Sequence, residues 1–239
     1  MPGKKHRRRP LRRLFCLLAL LAALGAFVRW DNTSLQTESF SFSSPRVPAA
    51  FSGYRLAVLS DLHGAVFGAG NSRLFDAVAA QRPDGIAVLG DLIDRSTADP
   101  LAYAREVGAG LAAIAPVYYV TGNHEWAAGG VPELKAALRD AGWTVLDNAY
   151  TVLSSGGDTL VLAGIDDPNG YADQKSPAEL ATELHADLGD PFWLLLAHRN
   201  DRFESQYSLL GADLTLSGHG HGGIFRLPFT DGLLGTGLN

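Results

Sequence analysis

Tyr54-Arg55-Leu56-Ala57-Val58-Leu59-Ser60-Asp61-Leu62-His63 is a short apolar run that ends in a carboxylate and an imidazole. Its length and composition are those of a buried strand. The same arrangement recurs along the chain. A run over 85–89 leads into Gly90-Asp91-Leu92-Ile93-Asp94-Arg95, and one over 117–120 leads into Gly122-Asn123-His124-Glu125. Runs over 192–197 and 213–217 end in His198 and in Gly218-His219-Gly220-His221-Gly222-Gly223. Periodicity predicts helices over 71–81 (capped by Asn71), 100–114, 132–141 and 176–188. Extended pieces are predicted at 143–146 and 151–153, with a further strand at 158–164. Short apolar strands separated by helices imply an α/β architecture with buried sheets. In such folds chemistry collects on the loops that leave the carboxyl ends of strands.

Five of the seven histidines lie on those loops. Carboxylate oxygen, imidazole nitrogen and carboxamide oxygen together suit divalent ions such as manganese, zinc or iron. Each block alone also reads as an ordinary strand-ending turn, Asp61-Leu62-His63 most of all. Glycine beside several ligand-type residues, as in the Gly-Asn-His-Glu and Gly-His-Gly-His blocks, is harder to explain by packing, and glycine lets the backbone turn sharply enough for neighbouring side chains to converge. Of the other two histidines, His6 sits in a basic tail and His185 on a predicted helix, where a solvated ring is expected.

The 239-residue length and 46% hydrophobic content fit one sizeable packed domain. The single cysteine, Cys16, excludes an intramolecular disulfide and cysteine-based zinc clusters. Charge is unevenly placed. Lys4, Lys5, Arg7, Arg8, Arg9, Arg12 and Arg13 put seven of the 20 basic residues in a tail without acids. The remainder holds 13 basic against 25 acidic residues, a formal charge of −12, which argues against binding a nucleic-acid duplex. After the tail (1–13) comes an apolar run of fifteen residues, 14–28, followed by Trp30. That layout predicts a signal anchor or signal peptide over 14–30, with the tail in the cytoplasm and the domain outside. The run is short for a full span. A cut after Gly25 and a twin-arginine export signal at Arg12-Arg13 are weaker readings of the same segment. Residues 31–51, rich in Ser, Thr and Pro, read as a linker or edge segment before a domain over 52–239.

The ordered set of blocks resembles the calcineurin-like metallophosphoesterases, and within them a bacterial membrane-associated, YkuE-like subgroup. The likeness runs from 52 to 223 and also rests on Pro116-Val117-Tyr118-Tyr119-Val120-Thr121 and Gly164-Ile165-Asp166-Asp167. It implies a β-sandwich flanked by helices, with two divalent metal ions at one end. Carried over by position, the first ion would take Asp61, His63 and His221, and the second Asn123, His198 and His219, with Asp91 bridging. His124 would protonate the leaving oxygen, Asp94 would orient its ring, and Arg95 would contact a substrate phosphate or serve as a surface arginine. Two cations ~3.5–4 Å apart can share a hydroxide and neutralise phosphoryl oxygens, so no protein nucleophile is needed.

The resemblance thus implies hydrolysis of a phosphate ester by attack of a metal-bridging hydroxide, on a small molecule or an envelope lipid or nucleotide. A nucleotide-sugar or lipid pyrophosphatase and a catalytically weak metal-binding scaffold are the alternatives. Two departures stand out. Relatives continue beyond the position of Gly223 to complete a sheet, whereas this sequence ends at Asn239, so a truncated C-terminal end is expected. Ile224 stands where relatives often carry a polar residue.

Overall fold

The computed structural model describes residues 8–170 and 174–221. The shortened stretch expected after 223, Ile224 and the first seven residues therefore lie outside the described residues. The chain divides into two compact units, Met1–Ser41 and Phe42–Asn239.

The first unit holds one helix, α1 (Arg8–Thr33), of 26 residues. Within it Pro10–Trp30 is a 21-residue stretch of mean hydropathy 2.0, long and apolar enough to cross a membrane by length and composition. The apolar run alone is short for a span, but the helix continues through both flanks, and its 21-residue stretch reaches roughly 30 Å at 1.5 Å per residue. Leu14, Phe15, Leu17, Leu18, Leu20, Leu21 and Leu24 are all exposed, on more than one face. An amphipathic helix of a soluble protein would bury one apolar stripe.

In the second unit β1 (Leu56–Leu59), β2 (Gly85–Val88), β3 (Val117–Tyr119) and β4 (Thr144–Val145) form a parallel sheet in that order. The crossovers carry α2 (Ser72–Ala80), α3 (Pro100–Ala112), and α4 (Asn123–Ala128) followed by α5 (Val131–Asp140). The second sheet has β5 (Ala149–Ser155) antiparallel to β6 (Asp158–Ile165), then β7 (Trp193–Arg199) and β8 (Leu214–Gly218) parallel to it. Helix α6 (Pro177–Leu188) links β6 to β7. Gly156 and Gly157, both at positive φ (55° and 91°), make the two-residue turn that the twist of the β5–β6 hairpin demands.

The sheets pack face to face. Ala87, Leu89, Tyr118 and Val120 meet Leu160, Leu162, Leu194 and Leu196 in one buried cluster, closed by Phe51 and Leu146. Alternate residues point the other way and are equally buried: Ile86, Val88, Val117 and Tyr119, the last with its ring against Trp143 at 5.8 Å. On the second sheet Val161, Ala163, Trp193 and Leu195 pack on Leu180, Ala181 and Leu184 of α6. Strands buried on both faces read as continuous apolar runs rather than as alternation, which is why the sequence announces them so clearly.

Two local expectations change. Asn71 occupies the N-cap position of α2 in a left-handed conformation (φ 54°), but its side chain does not cap the helix. Its Oδ1 accepts from Phe67 N at 3.0 Å and its Nδ2 donates to Glu106 at 2.7 Å, so it secures the 64–71 loop to α3. The short turn at Ala69–Asn71 already serves the helix entrance, with Arg73 N bonded to Phe67 O. His185 is half-buried rather than solvated, because its Nδ1 pairs with Gly189 O at 2.8 Å and its ring meets Trp193 edge-on. Residues 42–51 form an edge of the domain: Arg46 pairs with Asp190 and Asp213, and Val47 and Phe51 reach the inter-sheet core.

Candidate metal centre

Both sheets deliver their carboxyl-terminal ends to one end of the sandwich. From there β1 supplies Asp61 and His63, β2 supplies Asp91, and the loop after β3 runs straight into α4 with Asn123. His198 lies on β7 itself, and His219 and His221 follow β8. Eight non-glycine residues among those described have positive φ, and five of them are Asp61, His63, Asp91, His219 and His221. Left-handed backbone is uncommon for such residues and marks strain that the surroundings must hold. It also lets Asp61 and His63, or His219 and His221, turn toward a common region where an extended strand would alternate them.

The donor atoms converge in two groups. Those of Asp61, His63, Asp91 and His221 lie within 4.8 Å of one another, as do those of Asp91, His198 and His219. Asn123 Oδ1 joins the second group, 3.1 Å from His198 Nε2. Asp91 is common to both and completely buried. The chemistry of these contacts fits a cation. His198 Nδ1 is 2.7 Å from the carbonyl oxygen of Leu89, which can only accept, so Nδ1 carries the proton. In the neutral ring the Nε2 lone pair then faces Asn123 Oδ1 and Asp91 Oδ2, 3.2 Å away. Asp91 Oδ2 is buried and accepts no hydrogen bond. A buried carboxylate oxygen without a donor is costly, and a divalent ion removes that cost. His63 Nε2 and His221 Nε2 likewise face each other at 3.3 Å.

Electrostatics follow the same geometry. Burial would raise the carboxyl of Asp61, but hydrogen bonds from His221 and Ser60 outweigh it and push it down to about 2. The partner His221 is raised by Asp61. Burial lowers His63 and His219. Burial also works to lower His198, but Asp91 and the Leu89 carbonyl raise it overall. Asp91 is held low against its burial by His198 and by the backbone N–H of His124.

His63, Asp94 and His124 form a third convergence, their ring and carboxylate atoms within 4.8 Å. The rings of His63 and His124 meet edge to face at 4.6 Å. Asp94 Oδ1 accepts from Ser96 N and Ser96 Oγ, and its Oδ2 lies 3.6 Å from His63 Nδ1. Arg95 is exposed, with Nε donating to Ala127 O at 2.7 Å at the end of α4.

Three features of the site were not read from the sequence. Helix α4 is one: the Gly-Asn-His-Glu block does not end in a loop but opens a six-residue helix. A second is Glu125, wholly buried, whose carboxylate accepts four backbone N–H groups. Burial, and then Asp91, push that carboxyl up to about 7 against the pull of those bonds. The third is the ion pair of Arg199 with buried Asp167 at 2.6 Å, directly after His198. The Gly-x-x-Glu spacing of a helix start was the one available signal for Glu125.

Comparison with known proteins agrees with this geometry. The family model for calcineurin-like phosphoesterases matches residues 54–223. The Caenorhabditis elegans metallophosphoesterase-like protein F40B5.2 is 33% identical over 87% of this chain and 46% of its own. The Bacillus subtilis metallophosphoesterase YkuE is 27% identical over 95% of this chain and 80% of its own. The Escherichia coli phosphodiesterase YaeI is 32% identical over 73% of this chain and 63% of its own. The chain thus spans between about half and four-fifths of the length of these relatives. With a family match over most of the sandwich, and with the donor residues at its strand ends, the chain belongs to the calcineurin-like phosphoesterases, a family of metal-dependent phosphoester hydrolases.

Proposed function

We propose that this protein hydrolyses phosphate esters with two divalent cations, one held by Asp61, His63, Asp91 and His221 and the other by Asp91, Asn123, His198 and His219. The observation that carries the reading is the buried Asp91 Oδ2, which lacks a hydrogen-bond donor and stands where the two groups of lone pairs meet. When bound, such a pair of ions supplies positive charge for the phosphoryl oxygens and lowers the pKa of an attacking water. The chain's own residues do the rest. Asp91 fixes the two groups relative to one another. His124, whose backbone N–H holds Asp91 Oδ1 at 2.8 Å, places its ring beside the first group and donates a proton to the leaving oxygen. Asp94, beside His63 and His124, keeps those rings oriented. Arg95 lies at the rim as a contact for a substrate phosphate.

YaeI bears the name phosphodiesterase, which favours a diester as substrate. The likeness to YkuE supports a place in a YkuE-like subgroup. Helix α1, with a basic stretch ahead of it, supports a single-pass anchor that leaves the domain outside the cytoplasm. The test is turnover of p-nitrophenyl phosphate and bis(p-nitrophenyl) phosphate by purified protein loaded with manganese. Hydrolysis that is lost with a chelator and restored by the ion is expected; no turnover by folded, metal-loaded protein overturns the reading.

A further inference from the structure

Three of the elements that carry donor residues, the loop after β1, the start of α4 and β7 with its His198, meet on a fourth, the short backbone segment 89–93. The carbonyl of Leu89 accepts from His198 Nδ1 at 2.7 Å. The carbonyls of Gly90, Asp91 and Leu92 accept from the N–H groups of Asp61, His63 and Gly64 at 3.1, 2.9 and 2.9 Å. Asp91 itself takes the N–H of His124 on its Oδ1. The carbonyl side of the segment therefore sets the first loop and the histidine of β7. Its N–H side is equally engaged. The N–H groups of Asp91, Leu92 and Ile93 all point at the Glu125 carboxylate, at 3.0, 2.5 and 3.2 Å, and Gly122 N adds a fourth bond at 2.7 Å. Successive N–H groups around a left-handed residue, here Asp91 at φ 50°, form a concavity suited to an anion. The protein fills that concavity with a side chain of its own.

We infer that Glu125 is a positioning residue for the metal centre: its carboxylate holds the 90–93 loop and Gly122 in register, and through that loop sets Asp91, Asp61, His63 and His198. The inference rests on the two-cation reading above. The argument is one of valence. Glu125 Oε1 takes Leu92 and Ile93, and Oε2 takes Asp91 and Gly122. An ionised carboxylate has lone pairs for all four, whereas a carboxamide of the same shape turns an NH₂ donor toward two of them. An aspartate keeps the charge but draws it back by one methylene.

The test compares wild type, Glu125→Gln and Glu125→Asp by the manganese concentration needed for half-maximal hydrolysis, by bound metal in equilibrium dialysis, and by thermal unfolding of metal-free protein. Leu184→Val, in the buried contact of α6, serves as a destabilised control away from the site. Both Glu125 variants should raise the half-activating concentration by roughly 10–100-fold, while the control lowers the melting temperature and leaves that concentration unchanged. If Glu125→Gln does not fold, Glu125→Asp gives the answer alone. Wild-type metal affinity in a folded Glu125 variant overturns the inference and leaves the two-cation reading standing. A wild type that binds no manganese overturns both.

Discussion

The Nε2 atoms of His63 and His221 stand 3.3 Å apart, with Asp61 Oδ1 3.3 Å from the second ring and Asp91 Oδ2 3.8 Å from the first. One shared proton can settle this contact; an ion between the rings satisfies both lone pairs and both carboxylates. Metal binding should therefore be visible as stability. Saturating manganese at about 100 times its dissociation constant should add roughly 2.7 kcal/mol, read as a rise in melting temperature that a chelator reverses. Asp91→Asn should lose both bound equivalents and His221→Ala only one, by elemental analysis. Equal losses would contradict a shared Asp91.

His124 differs from its neighbours in lying outside both ligand groups while its ring touches that of His63. His124→Ala should keep its bound metal. Its rate should fall roughly 10²–10⁴-fold on alkyl phosphate esters, whose leaving oxygen needs a proton, and far less on p-nitrophenyl esters. A uniform loss across leaving groups would remove the assigned role.

Lys135 carries a buried ammonium 2.5 Å from both Asp166 Oδ2 and Asp147 Oδ1. Asp166 is itself buried and also accepts from Thr121 N and Thr121 Oγ1. Lys135→Met leaves that carboxylate without its cation and should destabilise the domain by about 3 kcal/mol in urea denaturation.

The Asp61–His221 pair gives a pH signature in metal-free protein. Asp61 is depressed to about 2, so its contribution is present above the unfolded carboxylate value and lost as pH falls toward 2. His221 is raised, so its contribution is present below the ordinary histidine value and lost as pH rises through the raised one. Asp61→Asn should therefore destabilise metal-free protein most between about pH 4 and 6.5, and thermal unfolding across that range would reveal a flat profile if the pair contributes nothing.

The sandwich and the donor set were legible because both write themselves in side chains. Strands buried on two faces appear as apolar runs, and each donor follows such a run within a few residues. What escaped the sequence is held by backbone or by distance. Helix α4 has six residues and stops at Gly129, too short to show a period. Glu125 is defined by four main-chain N–H partners, which leave no mark on neighbouring residue types. Lys135 sits on α5 like any surface lysine, and only the approach of β6 and the β4–β5 turn buries it. Asn71 has the residue type of a cap, yet the turn before α2 diverts it to Glu106.

A Cβ on Gly90 would come within 2.3 Å of Gly122 N, and one on Gly122 within 2.2 Å of Asp91 Oδ1. These two positions are closed to any side chain by the crossing of two loops, whether or not an ion is bound. A descendant of this chain that had given up hydrolysis could exchange His219 or His221 freely and would still have to keep both glycines to fold. In diverging copies the glycines would record ancestry, and the imidazoles and Asp91 would record continued use.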